Sequence, residues 1–213
     1  MKKIIIAIDS FKGCLTSAEA GKAAEKGIKS INPSCHTSVI PIADGGEGLL
    51  DVLITATKGK YITLSAHGPL MKMAKTHYGL SGNGRTAIIE MAAISGLPLV
   101  PIEQRNPMLT TTFGTGELIK DALNKGCRNF IIGIGGSATN DAGLGMLQAL
   151  GFRFLDKSGH TLGTGGQIME AVANIDTSGI HPALRETHFM VACDVANPFY
   201  GPERAAYIFA QQK

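Results

Sequence analysis

Apolar and polar positions alternate between two periods along this chain, and the periods lay out its elements. Ile4–Ile8 is a continuous apolar run closed by Asp9, which reads as a first strand of the doubly covered kind found in parallel sheets. Asp9-Ser-Phe-Lys-Gly13 follows, and Thr16-Ser-Ala-Glu19 has the spacing of a capping box for a helix to about Ser30, ended by Pro33. A second strand, Thr37–Ile42, leads into Ala43-Asp-Gly-Gly-Glu-Gly48 and a helix over Leu49–Thr57. This βαβα order predicts a parallel α/β sheet. The pattern then changes, since Met73–Leu80 and Arg85–Glu90 flank Ser81-Gly-Asn-Gly84 as a β-hairpin. A helix Glu117–Asn124 stopped by Gly126, a buried strand Phe130–Ile134, a helix from Asp141 to Leu150 and a strand Phe189–Cys193 complete the reading. The fold class is α/β and two-lobed: a Rossmann-like parallel lobe over 1–68, and a second α/β lobe with the hairpin over 69–213.

Composition narrows the function classes. Charged residues are 17% of the chain, below the usual ~25%, and hydrophobic residues are 44%. The net charge of +3, without a Lys/Arg block, argues against a nucleic-acid partner. No run approaches the ~20 apolar residues of a membrane span, so no membrane partner is expected. The apolar start at Ile4 is cut short by Asp9 and is a strand rather than a signal peptide. The four cysteines (Cys14, Cys35, Cys127, Cys193) are far apart, which suits reduced thiols and a cytoplasmic protein. The six histidines show no zinc spacing, and no Walker A or G-x-S-x-G motif occurs.

Asp9, Asp44 and Asp194 each stand just past the end of an expected strand, where open α/β sheets bind ligands. Gly133-Ile-Gly-Gly-Ser-Ala-Thr-Asn-Asp-Ala-Gly143 also follows a strand and precedes a helix, an arrangement that offers backbone N–H groups and a helix dipole to an anion. Two ligand readings fit it. Gly133-x-Gly135-x-x-Ala138, with Asp156 downstream, satisfies the dinucleotide fingerprint and would make the chain an NAD-dependent oxidoreductase. Gly135, Gly136, Ser137, Thr139, Asn140 and Asp141 would alternatively cradle a nucleotide's phosphates. Asp44-Gly-Gly-Glu-Gly48 could hold Mg²⁺ through a sparse set of carboxylates, or could simply start a turn with Glu47 favouring the helix dipole. Lys12 lies between a strand and a helix start, where a cation meets phosphate, although a surface lysine needs no explanation. Thr110–Glu117 is a hydroxyl-rich helix entry that N-capping by Thr115 would equally explain.

Asp9–Ala20, Pro41–Gly48, Thr110–Ile119, Gly133–Gly143 and Cys193-Asp-Val-Ala-Asn-Pro198, in this order, resemble the bacterial glycerate kinases from Lys2 to Lys213. The resemblance implies a two-domain α/β fold and phosphorylation of D-glycerate by ATP and Mg²⁺. The implied product is 2-phosphoglycerate, with 3-phosphoglycerate, an NAD-dependent oxidoreductase or an inactive fragment as the alternatives. It implies Asp44, then Asp194, as the acceptor of the substrate proton, and the same two residues as Mg²⁺ ligands. Lys12 would neutralise phosphate or substrate carboxylate, and Asp9, Ser10, Glu47 and Thr115 would line the substrate. A homodimer is possible. The relatives are longer, so the chain looks like an amino-terminal portion. Arg204 stands where the family has glycine and Gln211 where it has proline.

Overall fold

The computed structural model describes residues 3–11 and 13–213. Strand β1 (Lys3–Ile8) is followed by helix α1 (Ser17–Ile31) and by β2 (His36–Pro41), which pairs parallel to β1. Helix α1 starts where the capping box places it: Thr16 Oγ1 accepts from Glu19 N, and the Glu19 carboxylate accepts from Thr16 N. The helix lies close on the strands through Gly21, where an added Cβ would come within 2.4 Å of Val39. Ser17 Oγ then fixes both strand ends, donating to Ile8 O at 2.6 Å and accepting from Ile42 N at 3.1 Å.

Helix α2 (Leu49–Thr57) leads into β3 (Lys60–His67), β4 (Met73–Leu80) and β5 (Thr86–Glu90). The expected hairpin forms, with Gly84 at φ +70° and Asn83 Oδ1 accepting from Arg85 N. Strand β3 answers to an alternation the reading passed over: Ile62, Leu64 and Ala66 pack inward on every second position. It pairs with β4, so this strand joins the second sheet although the expected boundary at 68 leaves it with the first lobe. Further on come a short α3 (Ala92–Ser95), α4 (Phe113–Asn124), β6 (Asn129–Gly133), α5 (Leu144–Ala149), β7 (Arg153–Leu155), β8 (Asn174–Asp176), β9 (His188–Ala192) and α6 (Ala205–Phe209).

The main sheet has the order β3-β4-β5-β6-β9, antiparallel from β3 to β5 and parallel from β5 to β9. Its core lies against α4, where Tyr78, Ala87, Ile89, Phe130 and Ile132 meet Leu118, Ile119, Ala122 and Leu123. Ile88 points the other way, onto Leu50 and Ile54 of α2, as the pleat requires. Each such buried Leu, Ile or Phe contributes roughly 1.5–3 kcal/mol of transfer free energy.

Two expectations are corrected here. Strand β1 is not doubly covered: α1 covers one face, while Ile5 on the other is 60% exposed. And α4 begins at Phe113 rather than Glu117, because its entry is held by tertiary contacts described below.

Candidate active site at the carboxyl edge of the sheets

The strand ends converge on the loop Asp44–Gly48. Gly45 lies against the end of β9, where an added Cβ would sit 2.6 Å from Ala192 O. On its other side is the end of β6: an added Cβ at Gly133 would come within 2.5 Å of Gly45 O, and one at Gly135 within 2.7 Å of Gly46 Cα. No side chain fits at these contacts, and Gly45 also has φ +94°, so the glycines of both motifs serve one close backbone junction. Asp44 is exposed on this loop, and its Oδ1 accepts from Gly46 N at 2.9 Å. Asp194 is exposed on the segment after β9, and Glu47 is exposed beside the junction.

The register of β1 and β2 brings Asp9 to the same edge, because Ile8 pairs with Pro41 and Ser17 ties both ends. Asp9 Oδ1 accepts from Ser10 N. Ser10 Oγ is buried and has no hydrogen-bond partner among the described residues, which leaves a polar atom to be satisfied at this edge. Lys12 lies outside the described residues.

Glu90 is an acid the reading missed. It ends β5 as Asp9 and Asp194 follow β1 and β9, so the strand-end regularity was the signal that could have found it. Its Oε1 accepts from Leu50 N at 2.7 Å, which pins the first turn of α2 and hence the Asp44–Gly48 loop. Burial pushes its carboxyl above the usual carboxylate range, partly opposed by the amide hydrogen bonds it accepts.

The glycine-rich loop departs from the expected geometry. Helix α5 starts at Leu144, and its first amides are already taken: Leu144 N donates to Asp141 O, Gly145 N to Asp141 Oδ2, and Met146 N to Thr112 Oγ1. The helix end is therefore closed to an anion. Asp141 is 1% exposed, and its carboxylate also accepts from Thr112 N at 2.8 Å, Thr112 Oγ1 at 2.9 Å and Gly143 N at 3.2 Å. It organises the loop, its carboxylate turned inward onto these donors.

Thr115 is likewise fully buried, with its hydroxyl bonded to Ser95 Oγ at 2.8 Å. The hydroxyl-rich segment is a brace. Thr110 Oγ1 donates to Ala138 O at 2.8 Å, and Thr111 and Thr112 are buried beside Asp141.

What remains at the surface of the loop is Gly135, Gly136, Ser137 and Asn140, with Thr139 buried and only its carbonyl engaged from outside. Gly136 takes φ +71°, and Ala138 N and Gly136 O bond the segment Ser95–Leu97, which holds the turn out from the sheet. A group absent from the reading reaches this turn. Lys213 Nζ donates to Ser137 Oγ at 2.8 Å and to Thr139 O at 2.7 Å.

The dinucleotide reading fails on topology. It requires β6, α5 and the next strand to form a parallel βαβ unit, with an acid at the end of that strand. Strand β7 instead pairs antiparallel with β8 in a separate sheet. Asp156 is spent on its own turn, accepting from Ser158 N and His160 N.

Comparison with known proteins gives the same answer. A profile of the Glycerate kinase family matches residues 4–213. The chain belongs to the glycerate kinase family. It is 53% identical over 211 residues to a glycerate kinase of Bacillus subtilis, covering 99% of this chain and 55% of that relative. It is 49% identical over 211 residues to the glycerate 2-kinase of Escherichia coli, with 99% and 55% covered. A crystal structure described as glycerate kinase 2 of Salmonella typhimurium superposes with a TM-score of 0.89 at 48% identity, covering 99% of this chain and 56% of that one. The chain thus spans about half the length of the relatives it matches.

Among the described residues no helix is long and apolar enough to cross a membrane, and no disulfide joins the four cysteines. The departure at Arg204 is accommodated locally. Its φ is −61°, which any residue adopts, and its guanidinium stacks on Tyr207 at 3.5 Å from the ring centroid.

Proposed function

We propose that this glycerate kinase family chain carries the phosphoryl-transfer edge of an enzyme that phosphorylates D-glycerate with ATP, giving 2-phosphoglycerate. The observation that carries the reading is the junction of Asp44–Gly48 with the ends of β6 and β9, which gathers Asp44, Asp194 and the Gly135–Ser137 turn at one edge. Phosphoryl transfer demands positioning and charge neutralisation rather than covalent catalysis by the protein. Choice of the 2-hydroxyl is favoured by the E. coli relative, which is named a glycerate 2-kinase.

Asp44 is the base in this reading. Its carboxylate takes the proton of the glycerate hydroxyl as that oxygen bonds to the γ-phosphorus; the bond from that phosphorus to the bridging oxygen breaks, and ADP leaves. Asp194 is the second candidate for this role. Gly135, Gly136 and Ser137 would seat the triphosphate, with Asn140 beside them. Asp9, Ser10 and Glu47 would hold glycerate, and the orphaned Ser10 Oγ is a ready partner for a substrate oxygen.

The residues also fit Mg²⁺. The described residues hold no group of three or more His, Cys, Asp or Glu able to form a cage. Two exposed carboxylates, Asp44 and Asp194, completed by phosphate oxygens and water, are the donor set this ion uses with nucleotides. When bound, Mg²⁺ would neutralise charge on the phosphates.

A coupled assay of ADP release from D-glycerate and ATP·Mg²⁺ on the full chain tests the activity, and ³¹P NMR of the product tests which hydroxyl is used. Asp44→Asn is expected to lower kcat by ~10²-fold or more. Turnover near wild type would remove Asp44 from the role of base.

A further inference from the structure

A loop that meets phosphate needs positive charge, and helix α5 cannot supply it. The first amides of that helix are bonded to Asp141 and Thr112, and the Asp141 carboxylate lies buried directly behind the loop. Left to itself the turn would present a partly negative background to an anion. The group that reverses this is Lys213. Its ammonium reaches the glycine-rich turn from the far end of the chain and is held there by Ser137 Oγ and Thr139 O. The side chain is half-buried, and burying a lysine's charge costs free energy unless it is matched. A hydroxyl and a carbonyl share its protons but give it no counter-charge. Among the salt bridges of the described residues Lys213 has no carboxylate partner. Burial lowers its affinity for the proton, and the Asp141 charge opposes that trend.

We propose that Lys213 is a phosphate-binding residue of this site: its ammonium, aimed by Ser137 and Thr139, binds the phosphate chain of the nucleotide over Gly135–Ser137. The identification of that ligand as a nucleoside triphosphate rests on the phosphoryl-transfer reading; the anion-binding role of Lys213 does not. A compact ammonium suits this task, since it meets several phosphate oxygens as a point charge and needs no planar fork. The residue comes from the segment after α6 and the loop from the end of β6, so the site is complete only when that segment is folded onto the loop.

The test is calorimetric titration of the full chain with inorganic tripolyphosphate and, separately, with ATP·Mg²⁺, on wild type, Lys213→Met and Lys213→Arg. Circular dichroism and thermal unfolding report whether each variant is folded. Lys213→Met is expected to weaken tripolyphosphate binding ~10-fold or more, the scale of a lost charge-assisted hydrogen bond, while Lys213→Arg stays within several-fold of wild type. A second measurement needs no variant. Acetylation of wild-type lysines, read by mass spectrometry, should be blocked at Lys213 by saturating tripolyphosphate while Lys22 and Lys29 on α1 label as before. Absence of tripolyphosphate binding, equal binding by folded Lys213→Met, or unprotected Lys213 would each overturn the proposal. Protection and binding by tripolyphosphate without any binding of ATP·Mg²⁺ would sustain it and sink the nucleotide reading. Turnover with Lys213→Met binding as wild type would do the reverse.

Discussion

Glu90 turns its carboxylate back onto the first turn of α2, and the burial that makes this contact effective also raises its pKa. Desolvation is the main cause; the nearby Asp51 charge adds to it, while the Leu50 and Gly48 amides and His77 oppose it. The folded state therefore binds this proton more tightly than the unfolded chain does. Its contribution to stability is full at low pH and is lost as pH rises from the ordinary value of 4.5 through the raised folded value. Glu90→Gln keeps an oxygen for Leu50 N and removes the titration. Urea midpoints between ~pH 4 and ~pH 8 should then fall less steeply than in wild type. An unchanged slope would assign the effect to another group. The same scale separates the acids by environment: Asp44 and Asp194 stand in solvent, whereas Asp141 is enclosed by donors.

Helices α4 and α5 are coupled through Asp141, one carboxylate that receives the entry of the first and an early amide of the second. The Thr110–Thr112 segment reads as a ligand motif in one dimension and is an internal brace in three. Asp141→Ala would leave Thr112 N and Gly145 N buried without acceptors. We expect a loss of about 2–4 kcal/mol in unfolding free energy, since each orphaned buried donor costs about 1–3 kcal/mol. Denaturant unfolding measures it, and a loss under about 1 kcal/mol would mean that the donors find water or other partners. Under the proposed function, titration with ATP·Mg²⁺ should also show weaker binding by the variant, because the turn at Gly136 is carried on the same loop.

Across the whole molecule, burial is uneven. The sheet is closed on the α4 side but ends at β9, where Phe189, Met190 and Val191 are 45%, 65% and 56% exposed. Phe189 still stacks on Phe130, so the strand is anchored at one point while its outer edge offers unpaired backbone and apolar side chains. Any association between copies through this edge should be weaker in Met190→Lys, with the unfolding midpoint not lowered, as light scattering over a concentration series would read. If the mutation leaves association unchanged, this edge is not the surface responsible. A hollow of about 260 Å³ lined by Leu53, Ser81, Asn83, Ile88 and Ile131 lies by the hairpin turn, and none of the strand-end acids lines it. Concavity and strand direction thus point to different places, and the proposed function rests on strand direction.

The elements whose signals are local were legible in the amino-acid order. The capping box set the start of α1, the apolar period set α2 from Leu49 to Thr57, and Ser-Gly-Asn-Gly set the hairpin. The places of the strand-end aspartates were legible too, because Asp9, Asp44 and Asp194 follow β1, β2 and β9 in the amino-acid order. Only the tertiary structure decided what each polar residue of the motifs does. Thr115 and Asp141 share their motifs with exposed neighbours, and no spacing rule says which polar group turns inward. That choice depends on which buried amides need an acceptor, and those amides belong to elements far away in the chain. For the same reason Lys213 carried no sign of its partners, and the strand-end regularity marks Glu90 without telling what it bonds. Their significance lies in contacts with Leu50, Ser137 and Thr139 that form only when distant segments pack together.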